Sequence, residues 1–175
     1  MRTFLAILLT MITTGNAVAA TATTTAAAVT DTTATIPMEH IKNNNLLAAD
    51  LVIMTVGVWL PSRLLGTDWA YIGTNTVKEN LKTGFVWDHD NWGMNQWGHP
   101  LHGGQFYNSA RTNGYDFWGS VPFAMTGSMI WELFMEAEPP ALNDLISTSV
   151  GGVYMGETQY RLSSLLLDNT ARGSE

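Results

Sequence analysis

From Leu46 to about Leu65 the chain is almost continuously apolar, "LLAADLVIMTVGVWLPSRLL", and is broken chiefly by Asp50, Thr55, Ser62 and Arg63. This run predicts one helix, capped at Asn45, kinked late by Pro61 and stopped by Gly66. Asp50 would be costly in hydrocarbon, which favours a core or interfacial helix over a spanning one. The stretch "TDWAYIGTNTVKENLKTG" predicts a cap at Thr67 or Asp68 and a short apolar turn. A second cap at Thr74 or Asn75 then opens a polar helix that ends at Gly84. Residues 85–104 follow neither a helical nor a strand period and are dense in Trp, Asp, Asn, Gly and His, the composition of an ordered loop. "QFYNSARTNGYDFWGS" predicts a short helix followed by Gly114. Ser120 can cap a helix through about Ala137, with Pro122 in its first turn. The prolines at 139 and 140 end it, and Pro140 opens a last helix to about Leu167, with Leu142, Leu145, Ile146, Val150 and Val153 on one side. No run of alternating strands and no internal repeat interrupts this order. The fold class is therefore mainly α, a small helical bundle with an ordered Trp/Gly/His-rich loop.

The first residues follow another logic. "MRTFLAILLTMITTGNAVAA" has a positive start, an apolar stretch too short to cross a bilayer, and a small-residue end. It predicts a secretory signal peptide over 1–20. The Ala/Thr-rich segment behind it offers little to bury and predicts a disordered linker over 21–44. The helical envelope domain then occupies 45–175.

Charge narrows the partners. Only 13% of residues are charged, against about 25% in an ordinary soluble domain. The net charge is −7 with no Lys/Arg run, which argues against nucleic acid. There is no cysteine, so disulfides, thiolate metal sites and cysteine nucleophiles are excluded.

Candidate chemistry lies in the second half. Glu132 and Glu136, four apart, would share one helix face among apolar neighbours, where a carboxyl tends to hold its proton. Arg111 requires a carboxylate, which Glu132, Glu136 or Asp144 could supply. Asp144 could equally sit in the first turn of the last helix, where the dipole favours it. Ser147-xxx-Gly151 and Gly152-xxx-Gly156 permit close helix approach. Glu157 and Arg161 form an i,i+4 pair. Asp88, His89, Asp90, His99 and His102 are all metal-ligand types. H-x-x-H alone is a weak signal, however, and H-E-x-x-H is absent, so no residue is assigned to a metal.

Three blocks, "NQWGHPLHGG", "NSARTNGYDFW" and "WELFMEAEPPALNDL", carry a resemblance. From about Leu46 onward the chain resembles the domain-of-unknown-function family 3943 of Gram-negative bacteria. The resemblance implies an exported envelope protein of the periplasm or outer membrane. Longer members continue into a part that resembles outer-membrane β-strands, so a C-terminal truncation is open. The order His, Glu-xxx-Glu, Asp, Gly-Gly is also similar to that of VanZ-like and YfiM-like envelope proteins, whose polar residues project from an apolar bundle. Neither likeness implies a cofactor.

Three functions remain. The first is an outer-membrane-associated helical module with a structural or interaction role, its partner being membrane lipid or an outer-membrane β-barrel, the chain's own C-terminal continuation included. The second is a hydrolase or transferase of envelope lipid or glycan. In it Glu132 or Glu136 would act as acid or base with His99 or His102, and Arg111 and Asp144 would hold the ligand. The third is a divalent-metal binder.

Overall fold

The computed structural model describes residues 41–166. The predicted signal peptide and the linker up to residue 40 lie outside the described residues, as do residues 167–175. Helix α1 spans Asn44–Leu64. Its cap is Asn43, two residues before the predicted Asn45, and the Asn43 side chain accepts from the Leu46 N–H at 3.1 Å. The last residue assigned to the linker is thus already helical. Pro61 lies within α1, and Gly66, at φ +78°, turns the chain away. A 3-10 turn at Asp68–Ala70 leads to α2, Thr74–Thr83, which stops at Gly84 as predicted, at φ +69°.

The predicted loop over 85–104 is a loop only in its first part. From Met94 to Gly98 the backbone forms a π-helical turn, which runs straight into α3, His99–Thr112. "NQWGHPLHGG" is therefore a helix entrance. A π turn takes in one extra residue, and that breaks the 3.6-residue period by which helices are read. Pro100, which has no N–H to give, follows directly on the wide turn. Helix α4 spans Phe117–Phe134 and is capped by Asp116, whose Oδ1 accepts from the Gly119 N–H at 2.6 Å. The predicted cap, Ser120, is inside it and donates to the Asp116 carbonyl at 2.8 Å. The last predicted helix is real but interrupted: α5, Leu142–Ile146, then a second π turn, Ser147–Gly151, then α6, Gly152–Leu166. Among the described residues the sole β feature is a parallel bridge between Val86 and Ala141. Val86 donates to the Pro140 carbonyl at 2.9 Å, and Leu142 donates to that of Val86 at 2.7 Å. The bridge ties the loop after α2 to the start of α5.

Helix α3 is central, with α1, α4 and α6 around it. Its contact with the last helix is made by glycine. A Cβ on Gly152 would lie 2.6 Å from the Gly103 Cα, and a Cβ on Gly103 would collide with the Thr148 carbonyl. Gly104 meets Gly156 in the same way one turn on. Backbones this close gain dispersion contacts that side chains would prevent, the packing mode of small-residue helix pairs.

The interior is unusually polar. Buried positions include Ser62, Asn80, His99, His102, Ser109, Asn113, Ser120, Ser128, Glu132, Asp144, Thr148, Ser149 and Glu157. Large apolar side chains also face outward on α1, α4, the second π turn and α6, among them Val52, Ile53, Leu60, Met125, Ile130, Val150, Leu162 and Leu165. Leu47, Phe106, Tyr107 and Trp131 are the large apolar side chains that stay buried.

Thermal melts of glycine variants check the α3–α6 contact. Gly152→Ala puts a methyl into backbone and is expected to cost about 1–3 kcal/mol. Gly57→Ala, in open space on α1, is expected to gain up to about 1 kcal/mol.

Candidate functional site

The loop pinned by the Val86–Ala141 bridge carries Asp88 and Asp90 to the start of α5. The Asp88 N–H donates to Asn143 Oδ1 at 3.0 Å. The Asn143 amide in turn donates to Asp88 Oδ1 at 2.5 Å and to Asp144 Oδ1 at 2.9 Å. Across from them the first π turn supplies Asn95, whose Oδ1 accepts from Asn143 Nδ2 at 3.3 Å and whose carbonyl accepts from Ser147 Oγ. The Ser147 hydroxyl thus joins the two π turns directly, through the Asn95 backbone. This is a common place for such turns, which concentrate at functional positions.

His99 opens α3 at this junction. Its Nε2 lies 3.3 Å from Asp90 Oδ2 and 3.2 Å from Asp144 Oδ1. His99 and Asp144 are buried, whereas Asp90 is open to solvent. In front of them lies an open cleft of about 670 Å³, lined by Trp87, Asp88, Asp90, Trp92, Asn95 and Asn143 among others. Both tryptophans are largely exposed at its rim.

Burial and mutual repulsion set the protonation of the group. Burial, and the hydrogen bond and charge of Asp88, push Asp144 up to about 8. Burial, and then the charge of Glu136, drives Glu132 up to about 9. Glu136 is likewise raised, chiefly by burial, and the Trp131 N–H that donates to its Oε1 at 2.6 Å only partly offsets this. Burial lowers His99 below its ordinary value despite Asp90 and Asp88. Burial also lowers His102 to about 3, helped by the charge of His99. The cluster is therefore rich in carboxyl groups and poor in compensating positive charge.

The sequence-derived candidates separate. His99 and Asp144 meet in the cluster. Glu132 is closed in the core, and its Oε2 accepts the Ala141 N–H at 2.8 Å, which fixes the entry to α5. The predicted shared helical face of Glu132 and Glu136 is not formed, because α4 ends at Phe134. Beyond that end, Asn80 Nδ2 donates to the Glu136 carbonyl at 2.9 Å, and Ala137 donates to the Trp69 carbonyl at 2.7 Å. His102 packs edge-on against Trp131, with ring centroids 4.2 Å apart, and its Nε2 is buried without a partner.

Arg111 does not join them. Its Nε donates to Glu157 Oε2 at 2.9 Å, Nη2 to Glu157 Oε1 at 3.3 Å, and Nη1 to the Tyr115 carbonyl at 2.9 Å. Its carboxylate is therefore Glu157, in place of the predicted Glu132, Glu136 or Asp144. Tyr107 donates to the same Glu157 Oε2 at 2.7 Å, and Arg161 Nε to Oε1 at 2.8 Å. The i,i+4 pair of Glu157 and Arg161 is half of a larger network that ties α3 to α6. Asn95 and Asn143 went unread in the sequence, and Ser147 was read only as a small packing position. Their only signal is proximity to Asp88 and Asp144, which the chain order hides.

A pH series checks the buried Glu132. Its folded pKa is raised, so the folded state keeps a proton that the unfolded chain releases, and stability falls as pH rises towards 9. Between pH 7 and pH 9 Glu132 alone is expected to remove about 2–3 kcal/mol. Glu132→Gln keeps an acceptor for Ala141 and should flatten that part of the curve, measured by denaturant unfolding at each pH. An equal alkaline loss in the variant would place the proton elsewhere.

Residues 84–175, the part that holds the cluster, the glycine contact and the Arg111–Glu157 network, match the family described as Domain of unknown function (DUF3943). No curated protein and no solved structure matches the chain. The match covers just over half of the sequence, and the chain belongs to the DUF3943 family.

Proposed function

We propose that the chain is an envelope-associated helical module that rests on a membrane through the outer face of α1. The observation that carries this reading is the distribution of side chains on α1. Only Leu47 and Ser62 of its 21 residues are buried, while Val52, Ile53, Val56, Leu60 and Leu64 face outward. Helix α1 is also the one described helix long and apolar enough for a bilayer. Water offers such a face nothing, and an exposed apolar stripe of this size marks a contact surface.

The polar groups of α1 fit the opposite side. Asn113 Nδ2 donates to Asp50 Oδ2 at 2.7 Å, which turns Asp50 towards α3. The Arg63 guanidinium lies over the Tyr71 ring at 3.5 Å. Asp50 and Arg63 are thus engaged by the rest of the domain, and the outward surface of α1 is left mainly to hydrocarbon. The exposed Trp87, Trp92, Trp97 and Trp118 add the amphipathic rings favoured at headgroup depth. A structural role also agrees with the closed surroundings of Glu132 and His102, where a substrate would have no access.

Flotation with phosphatidylcholine vesicles tests the reading, because the acidic chain has no charge attraction to that lipid. The full chain is expected to float with the vesicles. Ile53→Gln with Leu60→Gln, two exposed positions on α1, should reduce the bound fraction at least about tenfold, with unchanged helicity. A double variant that floats as well as the parent would remove α1 from the contact.

A further inference from the structure

We propose that Asp90, His99 and Asp144 form a site for one divalent transition cation, of the Zn²⁺ or Mn²⁺ class, behind the Trp87–Trp92 cleft, whose wall Asp90 lines. This site does not depend on the membrane reading. Three donor atoms, one imidazole nitrogen and two carboxylate oxygens, lie within 4.8 Å of one another. They come from the loop, from α3 and from α5, so the fold itself assembles the set.

The spacing suits a shared ion better than hydrogen bonds. Zinc bonds to nitrogen and oxygen are about 2.0–2.2 Å, so two donors at the tetrahedral angle stand about 3.3–3.6 Å apart. His99 Nε2 is 3.3 Å from one carboxylate and 3.2 Å from the other. Charge-assisted hydrogen bonds close to about 2.7–2.9 Å, shorter than either distance here. Among the described residues no Lys or Arg pairs with Asp90 or Asp144, and His99 is the sole ion-pair partner of both. Arg111 and Arg161 stand at the other end of the helix contact, where both bind Glu157.

A second feature points the same way. Asn143 donates to the Asp144 oxygen that faces His99 and also to Asp88, holding the carboxylates as outer-shell partners do in metal sites. Three protein donors leave coordination positions free. Asp90 lines the open cleft, so those positions face it and accept water or an anionic group of a bound molecule. The mixed nitrogen and oxygen set favours Zn²⁺ or Mn²⁺ over Mg²⁺, which prefers oxygen alone.

The test is calorimetric titration of the untagged, chelator-stripped full chain with Zn²⁺ at pH 7, with Mg²⁺ in parallel. One equivalent of Zn²⁺ is expected to bind, at least about tenfold more tightly than Mg²⁺. Asp144→Asn and Asp90→Asn are each expected to weaken Zn²⁺ binding at least about tenfold at unchanged helicity. Asp90 is on an exposed loop, so its variant keeps the test open if Asp144→Asn fails to fold. His89→Asn, in the same cleft but outside the triad, should bind as the parent does. Absence of Zn²⁺ binding, parental affinity in both Asp variants, equal affinity for Mg²⁺, or loss of binding in His89→Asn would each overturn the site.

Discussion

The contact between the backbones of α3 and the last helix is the constraint on which the rest depends. Gly103 and Gly104 on one side, and Thr148, Gly152 and Gly156 on the other, let the two helices approach until main chain meets main chain. With that spacing fixed, side chains at either end of the contact are forced together. At one end stand His99, Asp144 and the two π turns. At the other, Tyr107 and Arg111 reach Glu157 across the interface. Neither polar group could close if a larger residue held the helices apart, because hydrogen bonds weaken steeply beyond about 3.2 Å.

The same spacing shapes part of the interior. At the glycine contact the helices leave no room for leucine or phenylalanine. Many large apolar residues lie on the outside, and hydroxyls, amides and ion pairs share the interior with Phe106, Tyr107 and Trp131. Asn80 holds the end of α4, Glu132 holds the entry to α5, and Asn113 holds α1 through Asp50. Glu132 holds a buried partner, the Ala141 N–H, whose loss of an acceptor would be the most costly of the three.

Much of the helical order was legible in the sequence, because glycine and proline mark its ends. Gly66, Gly84 and Gly114 stand with positive φ just beyond their helices, as their positions suggested. The caps were read less well. Asn43 and Asp116 act where Asn45 and Ser120 were expected, since several capping types stood close together and only geometry chooses among them. The π turns themselves went unread: the second lies inside what reads as one continuous helix, and the first broke the period so that "NQWGHPLHGG" passed for a loop. The site was legible only in part. His99 and Asp144 were named, but the assignment of Arg111 to that group was a guess about charge. Glu157 is far from it in sequence, and pairing over such a distance is decided by the fold.

The two π turns also control phase. Asp144 and Gly152 lie eight positions apart, as do Asn95 and Gly103. In an uninterrupted α-helix, eight steps of about 100° would leave the members of each pair about 80° apart around the axis. One residue absorbed by the wide turn reduces this to about 20°, so both members face the same neighbour. Each helix is thereby geared so that its chemistry and its packing share one face. The surplus residue works as a rotational offset written into the chain, and the two offsets, set opposite one another, keep both helices in step.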